Sequence, residues 1–360
     1  MPAGNTRKTG WPARFRVKRA WIGEGAAPFI IAELSGNHQQ RIDNAFRLVD
    51  AAAEAGANAV KLQTYTPDTI TLPARTKHFR AGEGLWDGRY LHDLYGEAMT
   101  PWEWHAPLAA HARERGLICF STPFDETAVD FLEREMRPPL YKIASFEMNH
   151  LPLLRRVAAT RKPVIMSTGM ATENEIASAV RTLKQGGCPA LVLLKCVSAY
   201  PARADDFNLR ALTLLRSRFG APAGLSDHTL TDEVALGAIA LGGCVVEKHL
   251  ALDRRGGAID AGFSLEPAEF ARLVRAIRTL HAALGKAVLG PSHQDRSQRR
   301  FRRSIFVSKK LLRGEKFTAD NLKIVRPADG LDPARWDSVL GRAASRPLEA
   351  GHPLRESDIA

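Results

Sequence analysis

The stretch APAGLSDHTLTDEVALGAIALGGCVVEKHL, residues 221–250, contains two short apolar runs separated by an amphipathic segment. Such runs predict buried strands, and a helix between them predicts a βαβ unit with parallel strands. Each run ends with polar residues, Asp227 and His228 in the first and Lys248 and His249 in the second. The stretch therefore predicts two neighbouring parallel strands whose carboxyl ends carry polar side chains.

The same pattern recurs along most of the chain. Apolar runs of this kind lie at residues 29–35, 59–65, 117–123, 140–145, 163–169, 191–197, 221–228 and 244–250. Helical patterns separate the runs, and several of these patterns end in glycine, which favours a helix C-cap. Eight βα units over about 255 residues match the usual size of a (β/α)8 TIM barrel. We therefore predict an α/β fold with a TIM barrel over residues 26–285.

The excess positive charge lies in two segments outside this barrel. The chain has 360 residues and a formal net charge of +12. Residues 1–20 carry six basic and no acidic residues, and residues 286–303 carry six basic residues against Asp295, so together they hold +11 of that charge. We predict a basic flexible tail over residues 1–25 and an Arg-rich linker over residues 286–302. A protein that binds nucleic acid or another polyanion through these segments is an alternative.

A small second domain is predicted after the linker, at residues 303–360. It contains an internal repeat of a glycine, an apolar residue three positions later and a following Leu or Ile. The corresponding positions are Gly314, Phe317 and Leu322 in the first copy and Gly351, Leu354 and Ile359 in the second. Two copies in so short a segment predict a compact, pseudo-symmetric, β-rich module that is too small to be very stable alone.

The cysteines predict reduced, buried thiols. Cys119, Cys196 and Cys244 lie in apolar runs, Cys188 lies in a turn, and no CxxC motif is present. This usage is typical of a reducing compartment. No apolar stretch approaches the ~20 residues of a membrane span, and the basic N-terminus lacks the apolar segment of a signal peptide. We therefore expect a cytoplasmic protein without a membrane partner.

Polar groups at the ends of all eight predicted strands indicate a shared site. Unpaired polar groups are costly to bury, and the carboxyl ends of barrel strands meet at one face. Lysines end the second, fourth and sixth strands, at Lys61, Lys142 and Lys195. Three ammonium groups at one rim predict a bound anion such as a phosphate or a carboxylate. The hydroxyl donors at the same rim are Ser145, Ser167, Thr168 and Ser226.

His228 and His249 end adjacent strands, so their imidazoles can approach one ion. With oxygens from Glu33 or Asp260, and with no cysteine expected at the rim, they favour an open site for a divalent ion such as manganese, magnesium, cobalt or zinc. Histidines that are merely hydrogen-bonded are the alternative. Glu33 ends the first strand, where it could act as a general base towards water or balance the lysines.

Ordered motifs along the chain resemble the sialic acid synthase family. They are FIIAELSGNH, AVKLQTYTPDTITLP, TPWEWH, GLICFSTPFD, YKIASFE, STGMAT, LLKCVSAYPA, GLSDHTL, VVEKHL and FSLEP. The segment RRSIFVSKKLLRGEKFTADNLKIVRP resembles the antifreeze-like (SAF) domain that follows the barrel in that family. The resemblance covers residues 28–360. It is strongest to the pseudaminic acid synthase branch, because of QTYTPDT, TPWEWH and Lys195, where neuraminate synthases have His.

The resemblance implies condensation of phosphoenolpyruvate with an open-chain amino-sugar aldehyde and water. The products would be a nine-carbon 3-deoxy-2-ulosonic acid and phosphate, released by C–O cleavage. For the pseudaminic branch the aldehyde is 2,4-diacetamido-2,4,6-trideoxy-L-altrose. Synthesis of N-acetylneuraminate or legionaminate is the alternative within the family, and a class I aldolase with Lys195 as its Schiff-base lysine is a more distant one.

The resemblance also implies a role for each candidate residue. His228 and His249 would bind a divalent metal, with Mn²⁺ expected first and Mg²⁺ or Co²⁺ as alternatives, and Glu33 would take the proton of the attacking water. The phosphoenolpyruvate-binding residues would be Lys61, which is also assigned to catalysis, Gln63, Thr122, Lys142, Ser145, Ser167 and Ser226. The sugar-binding residues would be Asn37, His38, Lys195, Ser198, Tyr200, Asp260 and Arg303.

The small domain of the family caps the barrel of the partner subunit. The resemblance therefore implies a domain-swapped homodimer, in which Arg303 or Arg302 reaches the site. Two motifs depart from the family pattern: NHQQ, residues 37–40, replaces NHxG, and GGAID, residues 256–260, replaces GGPD. Neither departure removes a predicted metal or phosphate residue.

Overall fold

The computed structural model describes residues 10–82 and 84–360. These residues fall into two compact units, one that ends at Gly285 and one that spans Lys286–Ala360. Residues 1–9 of the predicted basic tail lie outside the described residues. The predicted linker, residues 286–302, falls within the second unit.

The strands of the first unit form a hairpin and a barrel. The hairpin pairs β1 (Arg14–Val17) with β2 (Ala20–Gly23) in antiparallel fashion. The barrel strands are β3 (Phe29–Glu33), β4 (Ala59–Thr64), β5 (Ile118–Pro123), β6 (Tyr141–Ile143), β7 (Val164–Ser167), β8 (Leu191–Cys196), β9 (Ala223–Asp227) and β10 (Val245–His249). They close in the order β10–β3–β4–β5–β6–β7–β8–β9, all in parallel. The predicted TIM barrel is confirmed, with each strand inside its predicted run.

The helices of the first unit pack outside the barrel or lie in the connections between strands. They are α1 (Ile42–Ala55), α2 (Pro67–Ile70), α3 (Leu91–Ala98), α4 (His105–Glu114), α5 (Glu126–Glu135), α6 (Leu151–Ala159), α7 (Glu173–Gln185), α8 (Ala211–Phe219), α9 (Glu233–Ala240) and α10 (Pro267–Leu284). Local sequence fixes their ends: Thr172 and Glu175 form a capping box at the start of α7, and Gly56 takes a left-handed φ of 84° after α1. Both features satisfy backbone groups that a helix end leaves free.

The alternation of side chains along each strand decides which polar groups enter the barrel. On β10, Val245 belongs to the core inside the barrel and Val246 to the core between strands and helices. Glu247 and His249 therefore point into the barrel, whereas Lys248 points towards the helices. This alternation places the functional groups described below.

Part of the predicted flexible tail is folded, which corrects that prediction. Phe15 and Ile22 of the hairpin are buried against Phe29 and Phe120 at the amino-terminal end of the barrel interior. The hairpin alternates exposed and buried residues, so its basic side chains lie on the outer face. A side chain at Gly23, where φ is 122°, would collide with the backbone of Ala13, so glycine is required at that position.

The second unit contains two short helices, α11 (His293–Gln298) and α12 (Trp336–Val339), and a two-stranded antiparallel sheet of β11 (Ser304–Val307) and β12 (Leu322–Val325). The predicted linker is therefore partly helical, because Ser292 and Asp295 form a capping box at the start of α11. The predicted repeat is visible in the fold. Gly314 and Gly351 have φ values of 86° and 89°, and Phe317 and Leu354 are both buried in the core of this unit.

Within the described part of the chain, no helix has both the length and the apolar character that a membrane crossing demands.

Candidate active site

A cavity of about 430 Å³ opens at the carboxyl ends of the barrel strands. Its polar lining comes from strand ends and from the connections that follow them. The predicted site residues that line it are Lys61, Gln63, Lys142, Ser145, Ser167, Tyr200, Ser226, His228, His249 and Asp260. The eight-stranded barrel therefore brings together most of the residues that the sequence assigned to one site.

The lysines of the cavity are matched by carboxylates in what we call the inner network: Glu33, Lys61, Lys142 and Glu247. Lys61 Nζ forms an ion pair with Glu33 Oε2 and lies 3.6 Å from Glu247 Oε1. Lys142 Nζ lies 3.0 Å from the same Glu247 oxygen. The sequence led us to expect unbalanced lysines, and Glu247, which we left without a role, is the group that balances Lys142.

Burial and ion pairing shift the pKa values of the inner network in opposite directions. Burial raises the pKa of Glu33, although Lys61 opposes the shift. Burial would also raise the pKa of Glu247, but the charges of Lys142 and Lys61 outweigh it and lower that pKa. Burial lowers the pKa of Lys142, which Glu247 only partly offsets. The charged forms of these four groups are thus stabilised mainly by their ion pairs with one another. An anion that enters the cavity must compete with the carboxylates for the lysines.

The two candidate metal ligands, His228 and His249, lie near each other in the cavity lining. Their ring centroids are 5.3 Å apart. The Nδ1 atom of His228 lies 2.8 Å from the backbone oxygen of Val197, so Nδ1 donates there. Nε2 is the nitrogen that remains for the hydrogen bond with the Cys196 thiol, and a metal would have to replace that bond. The Nδ1 atom of His249 is buried without a hydrogen-bond partner among the described residues, and burial lowers the pKa of this ring well below its usual value.

This donor set fits a divalent ion with two imidazole ligands. No cluster of three or more His, Cys, Asp or Glu side chains that could hold a metal occurs within residues 10–82 and 84–360. Substrate and water oxygens would therefore have to complete the coordination, which is the arrangement of an open catalytic site.

Cys196 corrects the expectation that the rim has no cysteine. It lies on the inward face of β8 and lines the cavity beside His228. Burial opposes ionisation of the thiol, but the hydrogen bond and charge of His228, together with Ser145 and Lys142, lower its pKa to about 7. All four cysteines are free and buried, as predicted.

Lys195 points away from the predicted site. On β8, Leu194 belongs to the core inside the barrel and Leu193 to the core under the helices, so Lys195 lies on the outer side. Its Nζ donates to the backbone oxygen of Cys196 at 3.2 Å. This placement conflicts with the prediction that Lys195 contacts the sugar. It also conflicts with the aldolase alternative, which needs Lys195 as a nucleophile. The prediction did not take into account that side chains alternate between the two faces of a strand.

Asn37 and His38 lie behind the cavity wall. Asn37 Nδ2 donates to Leu250 O and to Ser264 Oγ, both at 2.9 Å, so it ties together the connections after β3 and β10. His38 packs edge-on against Trp104, and burial lowers its pKa to about 4. These side chains support the wall instead of contacting the sugar as predicted.

The remaining predicted residues have varied positions. Thr122 Oγ1 accepts a hydrogen bond from Lys61 Nζ at 3.0 Å, and Glu33 contacts the same lysine from behind the wall. Ser198 lies 3.9 Å from the Cys196 thiol and flanks Gly169, where a side chain would collide with it. Arg303 belongs to the second unit, so its predicted approach to the barrel stays a prediction.

Several cavity residues were missed by sequence reasoning. Ser35 Oγ hydrogen-bonds Asp260 Oδ2 and accepts a hydrogen bond from Gln63 Nε2 at 3.2 Å. Glu147 lines the cavity, its Oε2 has no hydrogen-bond partner among the described residues, and burial raises its pKa to about 7. The sequence could have indicated Glu147, because in the motif YKIASFE it follows the predicted site residue Ser145 by two positions.

The fold and cavity together define a barrel protein with buried lysines and carboxylates beside a pair of imidazoles at the carboxyl ends of its strands. A model of the NeuB family matches residues 48–289, and a model of the SAF domain matches residues 302–360. The chain belongs to the NeuB family, which confirms the resemblance to sialic acid synthases and the predicted SAF domain.

Similar proteins support the pseudaminic branch. The chain is 43% identical over 331 residues to a pseudaminic acid synthase of Campylobacter jejuni, covering 92% of this chain and 96% of that protein. It is 41% identical over 333 residues to the pseudaminic acid synthase of Helicobacter pylori, with 92% and 98% covered. A Campylobacter jejuni N,N'-diacetyllegionaminic acid synthase is 33% identical over 331 residues, with 91% and 98% covered.

A solved structure supports the fold of the whole chain. The spore coat polysaccharide biosynthesis protein SpsE of Bacillus subtilis is 33% identical and has a TM-score of 0.66. The match covers 97% of this chain and 99% of that one.

Proposed function

We propose that the protein condenses phosphoenolpyruvate with 2,4-diacetamido-2,4,6-trideoxy-L-altrose and water to give pseudaminic acid and phosphate. The identity of 43% to a pseudaminic acid synthase over nearly the whole chain carries the proposal. The cavity supports it, because it places two lysines and several hydroxyl donors beside a pair of imidazoles.

Phosphoenolpyruvate would bind at the lysines of the inner network. Its phosphate and carboxylate oxygens would replace Glu247 as partners of Lys142 and Lys61, with hydrogen bonds from Ser145, Ser167 and Ser226. Ser167 Oγ supports this assignment, since it is buried without a hydrogen-bond partner among the described residues. Charge-assisted hydrogen bonds to an anion would satisfy it and the lysines together.

His228 and His249 would hold the divalent ion, for which we propose Mn²⁺, with Mg²⁺ or Co²⁺ as alternatives. When bound, such an ion supplies Lewis-acid polarisation of the sugar aldehyde. The chain prepares both rings for this role: Val197 O fixes the tautomer of His228, and burial keeps His249 neutral.

The reaction itself needs positioning and one proton acceptor. The C3 atom of the enol bonds to the aldehyde carbon, whose oxygen takes up a proton, and positive charge develops at C2. Water adds at C2 with loss of a proton, and phosphate then leaves by cleavage of the C2–O bond as the C2 hydroxyl gives up its proton and becomes the ketone. We propose Glu33 as the acceptor of the proton from water, because burial raises its pKa and it forms an ion pair with Lys61, which lines the cavity. Holding the two substrates together lowers the entropic part of the barrier.

The sugar would be held by polar groups in the connections that follow the strand ends. Tyr200 packs 4.5 Å from the His228 ring, and Asp260 is fixed by Ser35 and by the amide of Gly36 at 3.2 Å. Glu147 adds a second carboxyl group to the lining. Tyr200, Asp260 and Glu147 can therefore accept hydrogen bonds from sugar hydroxyl and amide groups.

The test is phosphate release from phosphoenolpyruvate with a panel of sugars. We expect the L-altrose derivative to give the highest kcat/KM and a product with the mass of pseudaminic acid. Higher kcat/KM with N-acetylmannosamine or with the legionaminate precursor would place the protein elsewhere in the family. Turnover without phosphoenolpyruvate, with borohydride trapping of a substrate on Lys195, would favour the aldolase alternative.

We further propose a cytoplasmic homodimer in which the second unit of one chain completes the barrel of the other through Arg303. Mixing two inactive variants, Lys142→Ala and Arg303→Ala, tests this exchange. After statistical subunit exchange the mixture should regain about a quarter of the wild-type activity if the small domain caps the partner's barrel, because half of the dimers are mixed and one of the two sites in each has both intact contributions. No recovery after subunit exchange would place Arg303 at the barrel of its own chain, and full activity of Arg303→Ala alone would place it outside the reaction.

A further inference from the structure

The cavity has an apolar side that the proposed chemistry does not use. The connection between β4 and α4, together with residues that follow β5 and β6, supplies this apolar wall, which we define as Ile70, Trp86, Leu91, Leu94, Phe124 and Phe146. In the strand order of the barrel, β4 to β6 lie across from β9, which carries His228 at its end. Lys61 and Lys142 lie on β4 and β6 themselves, so the apolar wall lies in the connections beyond these lysines.

Trp86 joins this wall to the side of the cavity that holds the imidazoles. Its Nε1 donates to the backbone oxygen of Ile259 at 3.1 Å. Its ring packs 5.7 Å from Tyr200 and 6.1 Å from Phe263, and both of those rings contact His228. The polar atom of Trp86 is thus satisfied by protein, so the indole can offer the cavity an apolar surface close to the place of reaction.

We propose that Trp86 and the apolar wall form a subsite for the methyl groups of the sugar, and that this subsite selects diacetamido, 6-deoxy sugars over sugars with one acetamido group and a C6 hydroxyl. The inference rests on the proposed function and identifies what sets its sugar preference. A diacetamido-trideoxy hexose carries two acetamido methyls and one C6 methyl, whereas N-acetylmannosamine carries one methyl and a C6 hydroxyl.

The chemistry of the wall accounts for the selection. A single methylene group in an apolar pocket changes kcat/KM by about 10- to 200-fold. A C6 hydroxyl placed against aliphatic and aromatic carbons would lose its hydrogen bonds to water without replacement. Both effects favour the same class of sugar, and neither involves the phosphoenolpyruvate lysines.

The experiment compares wild type, Trp86→Ala, Trp86→Phe and Leu72→Ala with two sugars. Leu72 is an exposed residue of the same connection and serves as the matched control. Trp86→Ala should lower kcat/KM for the diacetamido-trideoxy sugar by about 30-fold, mainly through KM, because it removes contacts to its methyl groups. The KM for phosphoenolpyruvate should stay within about threefold of wild type. The kcat/KM for N-acetylmannosamine should fall less than that for the diacetamido-trideoxy sugar, because it carries one methyl group instead of three.

Trp86→Phe separates the subsite from a purely structural role of Trp86. This variant loses the hydrogen bond to Ile259 but keeps an aromatic ring, so most of the preference for the diacetamido-trideoxy sugar should return. If Trp86→Phe is as impaired as Trp86→Ala, or if Trp86→Ala loses both sugars equally, the subsite is refuted while the proposed function stands. If wild type prefers N-acetylmannosamine, both the proposed substrate and the subsite are refuted.

Discussion

Glu247 and Lys248 are adjacent on β10 and belong to two different buried networks of lysine and carboxylate. Glu247 faces the cavity in the inner network. Lys248 faces the helices, where its Nζ lies 2.6 Å from Asp227 Oδ2, 3.1 Å from Thr229 Oγ1 and 3.1 Å from the backbone oxygen of Thr231. Asp227 Oδ1 accepts a hydrogen bond from the Thr229 amide at 2.9 Å. We call this second group the outer network.

The two networks differ in completeness. In the outer network all three ammonium protons of Lys248 have an acceptor, and both oxygens of Asp227 are paired. In the inner network Glu247 Oε2 has no hydrogen-bond partner among the described residues, and the same holds for Ser167 Oγ in the cavity lining. A buried polar group left unpaired is costly. The outer network therefore stabilises the strand ends that carry His228 and His249, while the inner network is open to a ligand.

The largest expected effect comes from the imidazoles that the outer network supports. His228→Ala and His249→Ala should each lower phosphate release by about 1000-fold, the loss expected when Lewis-acid stabilisation of several kcal/mol disappears. Circular dichroism should show a retained fold, and His281→Ala on α10 serves as the control. Activity near the wild-type value in either variant at limiting metal would remove the proposed metal role.

Replacing one lysine in each network separates the role in phosphoenolpyruvate binding from the role in the stability of the fold. Lys142→Met should raise the KM for phosphoenolpyruvate by about 100-fold, because it removes a charge-assisted contact. Its loss of stability should be smaller than that of Lys248→Met, because Glu247 keeps Lys61 as a second partner at 3.6 Å. Lys248→Met should lower the free energy of unfolding by about 3–5 kcal/mol, because it leaves Asp227 buried and unpaired. The double variant Lys248→Met/Asp227→Leu should recover much of that loss. Equal effects of Lys142→Met and Lys248→Met on KM would contradict the distinction.

Glu147 tests whether an unpaired cavity group costs stability. Its pKa is about 7 in the folded protein against an ordinary value of 4.5, so between these pH values the unfolded state binds fewer protons and stability falls as pH rises. Glu147→Gln removes this cost and should raise the free energy of unfolding by about 3 kcal/mol at pH 8, with no gain at pH 4. Urea denaturation at both pH values measures it. The same gain at both values would assign the effect to packing.

The smallest expected effect is at Lys195. Because this side chain lies outside the barrel, Lys195→Met should change kcat/KM by less than about threefold. A substitution at such a position usually changes stability by no more than about 0.5 kcal/mol as well. Steady-state kinetics with both substrates will measure it. A loss of 100-fold would show that the side chain enters the cavity during the reaction.

Much of the barrel was predictable, because its strands are short apolar runs at regular spacing. The inward position of Glu247 and the outward positions of Lys248 and Lys195 follow from alternation and could have been predicted as well. The folded hairpin was missed since the basic charge of residues 1–20 concealed the alternation of Phe15 and Val17. Trp86 could not be placed from sequence, because it lies in a long connection without periodicity and is positioned by tertiary contacts with Ile259, Tyr200 and Phe263.

The most direct test of the central claim is binding of phosphoenolpyruvate alone, measured by calorimetry, to wild type, Lys142→Met and the double variant Lys248→Met/Asp227→Leu. The inner network predicts that Lys142→Met weakens binding by about 100-fold, while the double variant binds within about threefold of wild type. Binding that survives Lys142→Met and fails in the double variant would contradict the assignment of the anion site to the inner network.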